Sequence, residues 1–167
     1  MYSISAADLD DPRVVQFIGE HLRDLAPTAP VESQHALGLA ELKAPGVRVW
    51  VAVSDDRGHG VVGSVALAPV GVGHEELKSM RTDPARRGEG IAAKLLGHAL
   101  ADAGRRGVGW VTLETGSGDF FAPARRLYRR SGFLECAPFG DYGEDANSVF
   151  MTVEVTGSHL SRSAQSG

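Results

Sequence analysis

Residues 76–105 read ELKSMRTDPARRGEGIAAKLLGHALADAGR, and the rest of the chain is organised around them. A strand-like run at 77–82 leads through a turn to Gly88 and Gly90, which precede an apolar stripe with helical spacing. Glycines at the start of a helix let the backbone approach a ligand, and the first N–H groups of the helix point outward at the positive end of its dipole. The stretch therefore predicts an anion site, most simply one for phosphate. Positive charge is expected there from Arg86 and Arg87.

Two kinds of nucleotide-binding loop share these features. Gly88, Gly90 and Ala93 satisfy the dinucleotide pattern G-x-G-x-x-G/A. Glu114 ends the next apolar run, 26 residues past Gly88, and would be the ribose-binding carboxylate of that pattern. The dinucleotide pattern needs its first glycine at the strand end, whereas residues 83–87 intervene here, and too little chain remains for further strand–helix–strand units. A dinucleotide oxidoreductase is therefore the weaker interpretation, which a test of NAD binding would decide.

A second pattern, Arg87-x-x-Gly90-x-Ala92, resembles the R/Q-x-x-G-x-G/A motif of the GNAT superfamily of N-acetyltransferases. Glu76 stands 11 residues before Arg87, where many members of that family place a general base. The run ARRLYRRSGF at 124–133 resembles the family signature A-x-x-L-Y-x-x-x-G-F. Because the three features occur in the right order and spacing, the chain is identified as a member of the GNAT superfamily.

The resemblance covers about residues 47–155, and residues 113–151 are also similar to a group of small bacterial acetyltransferases. It implies a GNAT fold of the α/β (α+β) class, a mixed central sheet of about six to seven strands flanked by about four helices. It also implies that main-chain amides of the loop wrap the pyrophosphate of acetyl-coenzyme A, and that the preceding strand end pairs with the pantetheine arm. The cofactor-binding residues implied in this way are Met80, Arg81, Thr82, Arg87, Gly88, Glu89, Gly90, Ile91 and Ala92.

Acetyl transfer to an amine benefits from a base, because an alkyl ammonium with a pKa of about 10 is mostly protonated at neutral pH. The resemblance assigns this role to Glu76, and it assigns protonation of the departing coenzyme A sulfur to Tyr128. Each residue has a structural alternative: Glu76 as a strand residue paired with an arginine, and Tyr128 as an amphipathic core tyrosine. Phe121 stands where many family members carry an asparagine that contacts the cofactor.

An acidic loop at 139–147 is the candidate acceptor site. By resemblance it lies beside the cleft where the acyl group emerges, and Asp141, Tyr142 and Glu144 are its candidate substrate-binding residues. Carboxylates there would favour a cationic acceptor, and a tyrosine ring would cover an apolar part of it. A solvated turn with acidic residues for solubility is the equally open alternative.

The implied reaction is direct transfer of an acetyl group from acetyl-coenzyme A to the primary amine of a small molecule, in a ternary complex. A non-catalytic acyl-coenzyme A binding or sensing domain of the same fold is the alternative. Release of free coenzyme A in the presence of amines separates the two. The sequence leaves open the acceptor, the physiological acyl chain and whether the protein forms a homodimer.

Size and composition restrict the remaining choices. With 167 residues and 43% hydrophobic content, the chain suits one domain at 1–155, followed by a Ser-rich tail at 156–167 that is predicted to be disordered. A net charge of −4 with 17 dispersed basic residues argues against nucleic acid as a partner. No apolar run approaches the roughly 20 residues of a membrane span, and the start MYSISAADLD lacks signal-peptide features, so a cytoplasmic location without a membrane partner is expected.

One cysteine, Cys136, and histidines without metal-ligand spacing predict no metal site and no disulfide.

The order of elements follows from apolar periodicity and turn residues. Strands are expected at 2–6, 47–54, 61–68, 77–82, 108–113, 133–136 and 149–155, with a break in the chain at 69–73. Helices are expected after Pro12, at 32–42, after Gly90 and after an N-cap at Asp119.

Overall fold

The computed structural model describes residues 1–155, and the predicted disordered tail at 156–167 lies outside the described residues. Seven strands of the described chain form a mixed sheet in the order β1-β2-β3-β4-β5-β7-β6. The strands are β1 (Tyr2–Ala6), β2 (Arg48–Ser54), β3 (Val61–Gly71), β4 (His74–Thr82), β5 (Trp110–Gly116), β6 (Leu134–Glu135) and β7 (Ser148–Glu154). The α-helices are α1 (Pro12–Leu25), α2 (Leu39–Leu42), α3 (Ile91–Arg105) and α4 (Ala122–Arg130). The predicted mixed sheet with about four helices is confirmed.

Contacts divide the chain into two compact units. The first comprises Met1–Ala68 with Leu77–Ala99, and the second comprises Pro69–Glu76 with the chain from Leu100 onward. The glycine-containing loop before α3 belongs to the first unit. Glu76, Tyr128 and the loop at 139–147 belong to the second. The interpretation of residues 1–155 as a single domain stays a prediction.

The core of the first unit packs α1 against β2 and β3. Asp11 begins the helix because its side chain accepts the N–H of Arg13 at 2.9 Å, and proline follows at a position where no helical N–H is needed. The apolar residues of α1 recur at helical spacing and form one buried face. They pack against residues that alternate along the strands. The buried cluster comprises Val14, Ile18, Leu42, Val49, Val51 and Ala66. The helix predicted after Pro12 is thus confirmed.

Gly63 on β3 lets α3 lie directly on the sheet. A Cβ atom at this position would lie 2.7 Å from Cδ1 of Leu95 and 2.8 Å from Cγ2 of Ile91, both closer than carbon atoms normally approach. Leu95 and Ile91 are fully buried, as are Leu96 and Ala99 on the same helix face. The close packing at Gly63 therefore fixes the first turn of α3 and, with it, the loop that precedes the helix.

The second unit is built on β5, β7 and β6. Strand β7 pairs antiparallel with β5, from Trp110 opposite Glu154 to Gly116 opposite Ser148, and with β6 on its other side. Helix α4 buries Tyr128, whose ring packs on Phe133 with 5.7 Å between centroids. Gly132 follows the end of α4 with a φ of 96°, the left-handed conformation in which glycine commonly ends a helix.

The helix predicted at 32–42 is wrong. Only a 3₁₀ turn at Val31–Ser33 and the single turn of α2 form there. Nε2 of Gln34 donates to the carbonyl oxygens of Ala26 at 2.7 Å and Ala29 at 2.8 Å, which ties the segment to the end of α1. Such side-chain bonds to the backbone compete with helix formation.

The predicted break at 69–73 is also wrong, because β3 continues to Gly71 and β4 already begins at His74. Only residues 72–73 connect the strands, and the glycine at 73 turns with a φ of 67°. Proline has no backbone N–H to donate to a neighbouring strand. Pro69 lies near the end of β3, where a strand tolerates proline if that N–H is not needed for pairing.

Two smaller predictions at the ends of elements need correction. Asp119 is not the N-cap of α4 but opens a 3₁₀ turn, Asp119–Phe121, that leads into the helix. Phe120, within that turn, is 54% exposed. Strand β6 has only two of the four predicted residues. No helix within residues 1–155 has the length and apolar character needed to cross a bilayer.

Candidate active site

The loop before α3 has the backbone that the sequence predicts. Gly88 and Gly90 have φ values of 84° and 78°, in the left-handed region that favours glycine. A Cβ atom at either position would meet nothing within 4 Å, so the space in front of the loop is open. The N–H of Lys94 donates to the carbonyl of Gly90 at 3.1 Å, which leaves the N–H groups of the preceding residues without an acceptor in the helix. The turn at residues 87–90 and the start of α3 therefore offer a backbone suited to an anion.

Arg86 contributes differently from the expectation. Its Nε donates to Oε2 of Glu89 at 2.6 Å, and its NH1 group lies 3.4 Å from Oδ2 of Asp56. Its positive charge is therefore already paired within the first unit, where it joins the β2–β3 turn to the glycine loop. Arg87 is exposed and is the arginine that remains for an incoming phosphate.

Strand β4 is irregular just before the predicted pantetheine-binding residues. Ser79 has a φ of 53°, which is uncommon for a residue with a side chain, and its carbonyl accepts the hydroxyl of Ser64 at 2.7 Å. Two residues later, the guanidinium of Arg81 lies 5.2 Å from the ring centroid of Phe17 and pairs with Asp24 at 2.5 Å. The Arg81 side chain is thus held by α1, so its contact with a cofactor would come from the main chain.

Glu76 is buried and accepts a hydrogen bond from a residue far away in sequence. The hydroxyl of Tyr142 donates to Oε1 of Glu76 at 2.5 Å. The neighbouring Glu75 is also buried, and Arg106 binds both of its oxygens, at 2.7 Å and 2.8 Å. Arg106 thus forms with Glu75 an ion pair of the kind that the sequence left open for Glu76.

The loop at 139–147 is partly packed and partly solvated. The ring of Tyr142 contacts the rings of Phe139 and Phe150, with centroids 5.2 Å and 5.4 Å apart. Burial raises the pKa of the Tyr142 phenol, and the hydrogen bond and charge of Glu76 raise it further, so the phenol stays protonated. Asp141, by contrast, is exposed, so the two predicted substrate-binding residues lie in different environments.

Tyr128 keeps both of its interpretations. The side chain is 5% exposed and packs in the second unit, as a core tyrosine would. Burial raises the pKa of its phenol, and the negative charge of Glu114 adds to this rise. The phenol is therefore protonated at neutral pH, which is the state that a proton donor requires. Cys136 is less suited to nucleophilic catalysis, because burial raises the pKa of its thiol.

Glu114 is a site residue whose role sequence reasoning missed. Its only predicted role was that of the ribose-binding carboxylate in the dinucleotide pattern. In the structure its carboxylate accepts the hydroxyl of Ser148 at 2.8 Å. Its charge acts on the phenols of both Tyr128 and Tyr142. Glu114 lies opposite Phe150 in the β5–β7 register, and no local motif reveals that pairing.

Residues 45–135 match the family described as Acetyltransferase (GNAT) domain. Together with the fold, this shows that the chain belongs to the GNAT acetyltransferase family. It is 44% identical to the uncharacterized N-acetyltransferase YsnE of Bacillus subtilis (strain 168), over 91% of this chain and 99% of that protein. It is 39% identical to an IAA acetyltransferase of Azospirillum brasilense, over 83% of this chain and 88% of that protein.

A solved acetyltransferase of the GNAT family from Staphylococcus aureus Mu50 has the same fold. Its TM-score is 0.73 at 18% sequence identity, with 93% of this chain and 99% of that chain covered. The predicted fold class and family are confirmed, and the dinucleotide interpretation is wrong.

Proposed function

We propose that the protein transfers an acetyl group from acetyl-coenzyme A to the primary amine of a small-molecule acceptor, directly and in a ternary complex. The observation that carries this proposal is the buried Glu76 carboxylate, held by the Tyr142 hydroxyl in a chain of the acetyltransferase family. A carboxylate shielded from water and beside a donor is the kind of group that removes a proton from an ammonium in a cleft.

The cofactor would be bound mainly by backbone groups. The open, left-handed turn at Gly88 and Gly90 supports a pyrophosphate contact with the N–H groups at the start of α3. The irregularity of β4 at Ser79 supports pairing of the following residues with the pantetheine arm. The proposed cofactor-binding residues are Met80, Arg81, Thr82, Arg87, Gly88, Glu89, Gly90, Ile91 and Ala92.

In the proposed reaction Glu76 accepts a proton from the acceptor ammonium, directly or through water. The freed nitrogen lone pair attacks the thioester carbonyl, a C–N bond forms, and the C–S bond breaks as the thiolate leaves. The Tyr128 phenol gives its proton to that thiolate. The second proton that the nitrogen must lose to become a neutral amide passes to solvent, from which the Tyr128 phenolate is protonated again. Proton transfers by positioned groups of this kind typically contribute about 10²- to 10⁴-fold each to the rate.

The acceptor is proposed to be a cationic amine that uses Asp141 and Tyr142. Asp141 is exposed and carries the negative charge that would attract an ammonium group. The hydroxyl of Tyr142 is occupied by Glu76, so its ring is the part that would meet an apolar portion of the acceptor.

Coenzyme A release in the presence of different acceptors tests the proposal. The panel contains polyamines, amino acids, aminoglycosides and IAA, the last taken from the name of the Azospirillum relative. Wild-type protein is expected to release coenzyme A with at least one amine, and Glu76→Gln to lower kcat about 10²-fold with acetyl-coenzyme A affinity nearly intact.

Glu154→Gln, at an exposed position on β7, is the matched control and should keep full activity. Full activity of the Glu76→Gln protein would remove Glu76 from the mechanism. Tight acetyl-coenzyme A binding without release of coenzyme A for any acceptor would instead favour the non-catalytic binding domain.

A further inference from the structure

Tyr142 and Glu76 are brought together by the fold of the second unit, although 66 residues separate them in sequence. The donor–acceptor distance of 2.5 Å lies at the short end for a hydroxyl and a carboxylate. A buried carboxylate needs donors to replace lost hydration, and a bond to a charged acceptor is roughly twice as strong as one between neutral groups. This contact therefore constrains the orientation of the carboxylate.

The phenol itself has little freedom to move away. The Tyr142 ring lies edge-on to Phe139 and also contacts Phe150, which is buried on β7. A turn holds the backbone as well, since the N–H of Tyr142 donates to the carbonyl of Phe139 at 3.1 Å. Gly140 permits this turn with a φ of 57°. The loop thus presents one oriented hydroxyl to Glu76.

We propose that Tyr142 is a positioning residue whose hydroxyl holds the Glu76 carboxylate in the orientation from which it takes a proton from the acceptor. The proposal rests on the role of Glu76 as base under the proposed function. Tyr142 remains a donor throughout, because burial and the adjacent carboxylate raise the pKa of its phenol.

The other titratable groups around this hydrogen bond have their own partners. Glu114 on β5 accepts the hydroxyl of Ser148 and adds negative potential at the phenol. His74 shares a hydrogen bond of 2.7 Å between its Nε2 and Oγ1 of Thr112. Glu75 is bound by a guanidinium through both oxygens. Replacement of the Tyr142 hydroxyl should therefore alter Glu76 first.

The first test follows the Glu76 carboxyl group by NMR, in protein labelled with ¹³C at glutamate side-chain carboxyls. Loss of one signal in Glu76→Gln assigns the resonance. In Tyr142→Phe, which keeps the ring and removes only the oxygen, the signal should move to a different chemical shift, because the carboxylate loses the hydroxyl that it accepts. Tyr2→Phe is the matched control, since its hydroxyl is buried in the first unit without a hydrogen-bond partner among the described residues.

An unchanged Glu76 chemical shift in Tyr142→Phe overturns the proposal, and so does an equal change in Tyr2→Phe. This measurement needs no acceptor, so it is decided separately from the proposed acetyl transfer. If no amine yields coenzyme A, the proposed function fails while the Glu76 signal still shows whether Tyr142 holds the carboxylate.

The second test uses the amine that gives the fastest coenzyme A release. Tyr142→Phe should lower kcat about tenfold and leave KM for acetyl-coenzyme A within about twofold. The double variant with Glu76→Gln should be no slower than Glu76→Gln alone, because the hydroxyl acts only through the carboxylate. Independent losses that multiply in the double variant would contradict a positioning role.

Discussion

Glu75 and Glu76 are adjacent buried carboxylates that the fold stabilises in different ways. Glu75 is neutralised by a bidentate ion pair with Arg106, and removal of Arg106 would take this counter-charge from a buried carboxylate. Glu76 accepts the hydroxyl of Tyr142. Because the guanidinium binds both oxygens of Glu75, that carboxylate is already occupied by an ion pair. This is the residue-level reason for assigning base chemistry to Glu76 and not to Glu75.

Gly90 makes a testable prediction at the same scale. In Gly90→Val, the side chain would fill the open space in front of the loop and strain the left-handed backbone. Acetyl-coenzyme A affinity should fall at least ~10-fold, about 1.4 kcal/mol, as measured by calorimetry. Gly58→Val is matched to it, because Gly58 also has a positive φ and open space around it but lies in the β2–β3 turn. Equal affinities in the two folded variants would show that the loop does not bind the pyrophosphate.

Local elements and contiguous motifs were accessible from the sequence, whereas contacts between distant residues were not. The strand, turn and helix around Gly88 and Gly90 are adjacent in the chain, and helical spacing with glycine chemistry predicts them. The helix at 32–42 failed because Gln34 binds carbonyls of the preceding turn, and propensity does not register such a bond. The Tyr142–Glu76 contact depends on strand order and loop packing, so the sequence placed both residues in the site without joining them.

Strand β5 and the turn that leads into α4 depend on a glycine at their junction. A Cβ atom at Gly116 would lie 2.0 Å from Cδ2 of Phe121, so the ring occupies the space of the missing side chain. Gly116→Ala should displace the ring and lower the free energy of unfolding by about 1–3 kcal/mol. Denaturant titration measures this change. Gly118→Ala is the control, since a Cβ atom there meets nothing within 4 Å, and a loss of equal size in both variants would rule out the steric cause.

Each compact unit of the molecule carries its own chemistry. The first holds the proposed anion-binding loop, and its helix α1 carries the partly buried His21 beside the ion pair of Asp24 with Arg81 of β4. The second holds Glu76, Tyr128 and the carboxylate of Glu114. His21 and its neighbours take no part in the proposed proton transfers. The pH dependence of the free energy of unfolding can therefore be measured without any substrate.

His21 should make the folded protein less stable as the solution becomes acidic. The pKa of its imidazole is lowered from 6.5 to about 4, mainly by burial. The positive charge of Arg81 also lowers this pKa, and the negative charge of Asp24 raises it by a smaller amount. Between these values the unfolded chain binds a proton that the folded chain does not, so stability is highest above pH 6.5 and falls toward pH 4. The loss attributable to His21 is at most about 3 kcal/mol, because a tenfold change in proton affinity is worth about 1.4 kcal/mol.

Denaturant titrations from pH 7 to pH 4 should show a shallower decline for His21→Gln than for wild type, whereas His59→Asn, at an exposed turn, should follow the wild-type curve. Parallel curves for wild type and His21→Gln would mean that His21 takes up its proton equally well in the folded and unfolded protein.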